Sequence, residues 1–272
     1  MKRTLILAWL TGLLLEPLGA QEAPSVEARL TQSNGDITLA SAQGTAEGQV
    51  IRGELPLAEG DRIKVGPGSS AEISVEGRTL IQLEEGSVFR LKQLSPQRIV
   101  FGLDQGTLLA KVNFDKHAGA QLSVETPSAV VAVRGTEFVV QQENSGSQVG
   151  VLDEGHVAVR SPGSSEEVML HFNQETRVRY GQLPERAQTL EHLYHYKLQM
   201  GQMRTRLRLL HKHWNALRPS QRNSVRRAWL KTHARSRPVQ LRQRRSLTRE
   251  NPPARRPRKV RRREDPNPRP AW

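Results

Sequence analysis

Short runs in which apolar and polar residues alternate, separated by turn residues, extend over residues 26–178. Successive side chains of a β-strand point to opposite faces, so each run places one face toward a core and the other toward water. No part of this region keeps the 3.6-residue period of an amphipathic helix. The pattern therefore predicts a mainly β domain, with no long helix before residue 185. The alternating runs are 71–75, 88–92, 157–159 and 177–180.

A glycine followed by a polar residue opens a strand at five places, 20 to 29 residues apart. Each glycine is expected to adopt positive φ at a corner between strands. Repetition at this spacing favours stacked β-turn-β coils, in a solenoid-like or sandwich-like arrangement. The alternative is that the glycines mark the turns that any all-β domain needs. The pairs are Gly60-Asp61, Gly86-Ser87, Gly106-Thr107, Gly135-Thr136 and Gly155-His156.

Residues 125–140, ETPSAVVAVRGTEFVV, carry the most information. Pro127 forces an extended conformation on the residue before it and interrupts a strand ladder. The apolar run 130–133 predicts a strand buried on both faces. Arg134 follows this run, and an unpaired buried charge is costly. We therefore expect Arg134 to pair with a carboxylate, for which Glu125 and Glu137 are the nearest candidates, or to cap backbone carbonyls. An anion-binding role for Arg134 is the alternative.

This segment resembles the signature of the FecR domain, the periplasmic domain of ferric-citrate-type signal transducers. The preceding GDRIKVGPGSSAEISVEGRTLIQLEEGSVFRL resembles the first half of that domain, and VGVLDEGHVAVRS resembles its closing strands. The resemblance covers roughly residues 50–160, and more loosely 26–180. It implies an all-β, solenoid-like periplasmic domain without catalytic activity. The residues that carry the signature, with a structural role, are Thr126, Pro127, Ala132, Val133, Arg134, Gly135, Thr136, Glu137 and Phe138.

The first 20 residues have the three parts of a secretory signal peptide. Lys2 and Arg3 are followed by an apolar run over residues 5–15, and small residues at 19–20 predict cleavage after Ala20. The apolar run is about half of the roughly 20 residues that a spanning helix needs. The chain contains no cysteine, so a lipid anchor, disulfides and thiol catalysis are excluded. We therefore predict a soluble protein exported to the periplasm, with an uncleaved anchor or a buried helix as the alternative interpretation of this segment.

The family resemblance also has departures. Transducers of the family carry a cytoplasmic sigma-regulating segment and a membrane span before this domain, where this chain begins with the signal-like segment. They usually carry a C-terminal lobe of mixed structure, where this chain has a basic helical region. A stand-alone member of the family is the resulting expectation, and iron uptake is not carried over.

The charge of the chain changes sign near Pro184. Residues 1–184 hold 16 basic and 22 acidic residues, whereas residues 185–272 hold 25 basic and 5 acidic residues. The expected organisation is a signal peptide (1–20), a FecR-like β-domain (21–183, core 50–160), a basic helical region (184–234) and a disordered tail (235–272).

The basic helical region has a heptad seam. A helix is expected to begin at Pro184-Glu185 and to end at Pro219, with a second helix from Ser220 to about His233 whose apolar side is Val225, Ala228 and Trp229. The seam needs a partner, which is a second copy of the chain, the following helix or the surface of the β-domain. The seam residues are Leu193, Tyr196, Met200, Met203, Leu207, Leu210, Trp214 and Leu217.

Residues 235–272 contain 13 Arg, one Lys and seven Pro, a composition that predicts disorder. A cationic cluster of this density is a candidate site for a polyanion. In an exported bacterial protein we expect lipopolysaccharide or anionic lipid, with nucleic acid as the alternative. A solvated tail without a dedicated ligand is the third interpretation. The candidate residues are Arg255, Arg256, Arg258, Lys259, Arg261, Arg262 and Arg263.

Sequence motifs of enzymes, including G-x-S-x-G, the P-loop and HExxH, do not occur in the chain. His192 and His195 share a helix face but lack further ligands, so no metal or other cofactor is predicted. We predict a non-enzymatic binding or scaffold module, with a protein or glycan partner for the β-domain and homodimerisation through the 193–217 helix as one option. The alternative is a component of cell-surface signalling that regulates transcription.

Overall fold

The computed structural model of the protein describes residues 25–41, 44–49, 54–113 and 121–233. This part is mainly β, as the sequence predicts, with 17 strands followed by two α-helices. The strands are β1 (Ala28–Asn34), β2 (Asp36–Ser41), β3 (Gly44–Gln49), β4 (Leu55–Leu57), β5 (Arg62–Val65), β6 (Ser70–Val75), β7 (Thr79–Leu83), β8 (Val88–Leu94), β9 (Arg98–Val112), β10 (Gln121–Glu125), β11 (Val130–Arg134), β12 (Glu137–Glu143), β13 (Gly146–Val151), β14 (His156–Arg160), β15 (Glu167–Leu170), β16 (Gln174–Arg179) and β17 (Gln188–Thr189). The helices are α1 (Lys197–His213) and α2 (Pro219–His233).

The strands form two sheets that share the long strand β9. Sheet A has the order β4-β1-β6-β7-β9-β12-β13-β16-β17, with every pair antiparallel. Sheet B has the order β3-β2-β5-β8-β9-β10-β11-β14-β15, in which only the β9–β10 pair is parallel. Apolar residues of both sheets enclose one core, so the arrangement is a sandwich.

Strand β9 passes from one sheet to the other. Its first half pairs with β8 and β10 in sheet B, and its second half pairs with β7 and β12 in sheet A. Gly106 lies at the transition with φ of 91°. A Cβ atom on Gly106 would lie 2.5 Å from the Cα of Ser87, so the strands approach each other too closely for any other residue. The sequence contains no signal that marks a single strand shared by two sheets.

The five glycines predicted at strand corners all have positive φ. The values are 84° at Gly60, 72° at Gly86, 91° at Gly106, 53° at Gly135 and 122° at Gly155. The prediction is confirmed at each position, because every one of these glycines joins or bends strands where the chain changes direction.

Sheet A is buried on both faces at its centre. Along β7, β9 and β12, residues that point into the sandwich alternate with residues that point outward against α1. The outward residues are Leu80, Leu109 and Val139. They contact the heptad seam, of which Leu193, Met200, Met203 and Leu207 are buried. Of the three partners considered for the seam, the chain's own β-domain surface is therefore the one that it contacts.

The first helix begins later than the sequence predicts. The expected start at Pro184-Glu185 is wrong, because α1 begins at Lys197 and ends at His213. The Glu185 N–H donates to the Arg177 carbonyl and the Leu190 N–H donates to the Asn173 carbonyl. These bonds to β16 and to the residue before it replace the bonds within a helix, and the segment contributes the edge strand β17.

The second helix has a different packed side from the predicted one. Val225 and Ala228 are exposed, whereas Arg226 and Leu230 are buried and Trp229 packs against the core. The predicted side is confirmed at Trp229 and wrong at Val225 and Ala228. A buried aspartate of the β-domain binds Arg226, so the Arg226 side of α2 faces the domain. Pro219 starts α2 and does not terminate α1.

Neither helix in the described ranges is long and apolar enough to span a membrane.

Gly106→Ala is expected to lower the free energy of unfolding by about 3 kcal/mol, because the positive φ and the contact with Ser87 both disfavour a Cβ atom. Gly60→Ala is the matched control. Gly60 has a similar φ of 84° but open space around it, so its loss is about 1 kcal/mol. Urea unfolding of both variants measures the difference, and equal losses would contradict the close approach at Gly106.

Candidate functional site

The signature segment consists of β10, a tight turn, β11, a second turn at Gly135 and β12. The expectation of burial on both faces of residues 130–133 is wrong, because β11 alternates: Val131 and Val133 are buried, while Ala132 and Arg134 are exposed. Strand β11 belongs to sheet B, where only one face meets the core. Of the other signature residues, Pro127 is exposed, Gly135 is half-buried, and Thr126, Thr136, Glu137 and Phe138 are buried.

The pairing predicted for Arg134 is also wrong. Glu125 pairs with Lys92, whose Nζ lies 2.8 Å from Glu125 Oε2. Glu137 pairs with Lys111 and Arg204. Because β11 alternates, the Arg134 side chain points into solvent, where it needs no carboxylate partner.

The turn between β10 and β11 is held by a buried cluster of hydroxyl groups. Thr126 Oγ1 accepts a hydrogen bond of 2.8 Å from the Ala129 N–H and lies 2.6 Å from Ser147 Oγ. Ser147 Oγ donates to Gln142 Oε1 over 2.6 Å. Since Gln142 and Ser147 belong to β12 and β13, this cluster ties the turn of sheet B to sheet A. The role of Thr126 is therefore structural.

Glu137 is the one ionisable side chain of the signature that is completely buried. Lys111 Nζ lies 3.0 Å from its Oε1. Arg204 of α1 donates through Nε to Oε1 and through Nη2 to Oε2, the latter over 2.5 Å. The hydrogen bond to Glu137 raises the pKa of Arg204. The signature glutamate thus binds the helix to sheet A.

Asp153 extends this network at the end of β13. Its Oδ2 lies 3.5 Å from Lys111 Nζ and 3.6 Å from Arg204 Nη2. Burial alone would raise the pKa of Asp153, but the backbone hydrogen bond from Glu154 and the charges of Lys111 and Arg204 together lower it. Asp153 is therefore ionised at neutral pH and is unsuited to act as a general acid.

A groove of about 270 Å³ opens beside this network. The Lys197 ammonium on its edge lies 5.3 Å from the ring centre of Phe172 and 4.6 Å from that of Tyr194. Both aromatic side chains are 54% exposed. Leu152 and Met200 line the groove together with the paired charges, and its aromatic and cationic rim suits binding of side chains from a partner. The lining residues are Glu137, Leu152, Asp153, Phe172, Lys197, Met200 and Arg204.

Three further buried carboxylates of the β-domain contact the C-terminal region. Asp61 receives two hydrogen bonds of 2.5 Å from Arg226 of α2. Glu175 Oε1 lies 2.6 Å from His192 Nδ1, and its Oε2 accepts from the Leu193 N–H. Glu27 Oε2 accepts from the Leu217 N–H over 2.9 Å.

Arg29 contacts the segment that links the two helices. Its Nε lies 2.6 Å from Glu27 Oε1, and its guanidinium lies 4.2 Å from the ring centre of Trp214. Burial alone lowers the pKa of Arg29, but its hydrogen bonds to Glu27 and Glu54 raise it overall. Together, the four buried carboxylates Glu27, Asp61, Glu137 and Glu175 form what we call the acidic contacts of the C-terminal region.

Sequence reasoning missed the acidic contacts. The sequence does contain a pattern that indicates these contacts, because the chain has no Asp or Glu from residue 192 to residue 249. Helices so rich in arginine and lacking their own carboxylates must find acidic partners elsewhere if they pack on a core. In the described ranges, no group of three His, Asp or Glu side chains is placed to hold a metal ion.

The predicted polyanion site lies outside the described residues. This applies to Arg255, Arg256, Arg258, Lys259, Arg261, Arg262 and Arg263, and also to the signal-like segment 1–20.

The comparison with protein families supports the resemblance seen in the sequence. Residues 61–158 match the family described as FecR protein, which confirms the expectation over this stretch. Two crystal structures of a proposed anti-sigma factor from Parabacteroides distasonis are similar to this chain, each with 23% identity and a TM-score of 0.41. Each alignment covers 48% of this chain and 61% of the other. A comparison with curated proteins gives no match.

Arg226→Ala is expected to lower the free energy of unfolding by about 3–5 kcal/mol, because it leaves Asp61 buried without its cation. Arg227→Ala, one residue along the same helix, removes an exposed arginine and is expected to change it by no more than about 0.5 kcal/mol. Chemical denaturation followed by circular dichroism measures both values. Equal stability of the two variants would show that the Asp61–Arg226 pair does not hold α2.

Proposed function

We propose that this protein, whose residues 61–158 form a FecR-type domain, is an exported and non-enzymatic binding module in regulatory signalling at the cell envelope. The observation that carries the proposal is the match to the FecR family over a stretch that contains the signature. The match relates the domain to signalling regulators, and it favours the signalling alternative over a scaffold without a regulatory role.

The partner in this proposal is a protein segment that binds the groove beside Glu137. Phe172 and Tyr194 offer exposed aromatic surface, and Lys197 offers a cation between them. Exposed aromatic side chains that a partner covers on binding are common energetic centres of protein interfaces. The two acids of the groove are held in ion pairs by Lys111 and Arg204, which supports binding and not acid–base catalysis.

Export and the basic tail complete the proposal. The basic start, short apolar run and small residues of segment 1–20 support secretion to the periplasm with cleavage after Ala20. The 13 Arg and one Lys of residues 235–272 support contact with an anionic envelope surface. Nucleic acid offers the same phosphate chemistry and is the alternative ligand of the tail.

The signalling role is tested in cells that lack the protein. Deletion is expected to change the transcript level of a defined set of genes by at least about threefold, and the full chain should restore it. Phe172→Ser combined with Lys197→Glu should fail to restore it, because the groove loses its aromatic and cationic rim. Leu183→Ser, at an exposed leucine elsewhere, is the control and should restore it. An unchanged transcriptome after deletion would contradict signalling and favour the scaffold.

The tail is tested by binding to phosphatidylglycerol vesicles at several salt concentrations. Removal of residues 235–272 is expected to weaken binding at least tenfold at low salt, since each basic residue near an anionic surface contributes about 1 kcal/mol. Binding that is unchanged by the truncation would exclude a role for the tail. Equal binding to vesicles of neutral phosphatidylcholine would exclude the electrostatic mechanism.

N-terminal sequencing of protein from the periplasmic fraction tests export, with Gln21 expected as the first residue.

A further inference from the structure

The outward side of α1 carries large apolar side chains. Met200, Met203 and Leu207 point toward sheet A and are buried. On the opposite side, Leu198 is 80% exposed and Leu209 is 51% exposed. Eleven residues are close to three full turns of an α-helix, so these two leucines point in the same direction. Between them on this side lie the exposed residues 202 and 205, and Lys212 follows.

The same side of α1 has unpaired positive charge. Of the ten Arg and Lys residues in segment 192–233, Arg204, Arg206 and Arg226 bind carboxylates of the β-domain. Arg208 and Lys212 are exposed and form no ion pair within the described residues. Exposed cations without an ion pair in the described residues also follow α1, at Arg218, Arg227 and Lys231. The segment contains no acidic residue that could neutralise them.

We propose that α1 lies on an anionic phospholipid surface through Leu198, Leu209, Arg208 and Lys212. A helix at a bilayer interface buries its apolar side chains at the boundary of headgroups and acyl chains, while its cations contact the phosphates. The long stems of arginine and lysine allow their charged ends to stay in the headgroup layer while Leu198 and Leu209 enter below it. A lipid surface therefore accounts for both the exposed leucines and the unpaired cations on this side of α1.

The observations favour lipid over nucleic acid. A phosphate backbone would bind Arg208 and Lys212 but would leave Leu198 and Leu209 in water, whereas a lipid surface accepts all four side chains. The surface shares no residue with the groove or with the basic tail. The inference shares with the proposed function the location at an anionic envelope surface, but it rests on different residues, so each can fail alone.

The absence of cysteine from the chain allows a direct test. Leu198→Cys, in the chain that begins at Gln21, is labelled with an environment-sensitive dye. Addition of vesicles with 30% phosphatidylglycerol is expected to shift the emission to the blue, because the dye enters the interface. Lys64→Cys, exposed on β5 of sheet B, is the matched control and should show no shift. A dye at residue 198 that stays in water while the chain binds vesicles would overturn the inference and leave the tail proposal intact.

Paired substitutions give a second readout. Arg208→Glu with Lys212→Glu is expected to weaken vesicle binding at least 25-fold, since each basic residue near the surface contributes about fivefold. Leu198→Ser with Leu209→Ser should weaken it at least tenfold. Lys64→Glu with Arg98→Glu changes the net charge equally on exposed strand residues and should weaken it less than threefold. Losses no larger than those of this control would overturn the inference. The inference would also be overturned if these variants lost binding to a DNA duplex and kept their binding to vesicles.

Discussion

Ion pairing between buried carboxylates of the β-domain and the cationic C-terminal region is the constraint on which the rest of the structure depends. Asp61 and Glu137 are buried, and within the part of the chain that the structure describes their cationic partners are Arg226, Arg204 and Lys111. An unpaired buried carboxylate is strongly destabilising, so the β-domain needs the helices as much as the helices need a surface. The acidic β-domain and the basic helices, which look like separate modules by charge, therefore lie in one compact unit.

The signature glutamate connects the fold to the proposed function. Glu137 begins β12, directly after the corner at Gly135, and its carboxylate binds Arg204 of α1. The same side chain lines the groove whose rim is formed by Phe172 and Lys197. A partner that displaced Arg204 would uncover a buried charge. Glu137 thus contacts α1 and lines the groove at the same time.

Local patterns in the sequence were sufficient to predict much of this fold. The alternation of apolar and polar residues predicted the strands, and the glycines predicted the corners between them. The heptad seam predicted the buried side of α1. Each of these patterns depends on a residue and its near neighbours. The errors concern contacts between distant parts of the chain. The segment after Pro184 pairs with β16 instead of forming a helix, and the buried side of α2 is set by Asp61, 165 residues away. The burial of Val131 and Val133 without Ala132 depends on the position of β11 within sheet B. The change of charge sign near Pro184 was interpreted as a boundary between modules, whereas the opposite charges attract the two regions to each other.

Native-state hydrogen exchange tests the central claim most directly, with mass spectrometry following the amides of α1, α2 and sheet A separately. If the buried ion pairs make the helices part of the folded unit, the central amides of α1 should be protected to the same degree as those of β12 and β13. They should also lose that protection in Glu137→Gln. Helices that exchange at the rate of an unfolded peptide while sheet A remains protected would contradict the account.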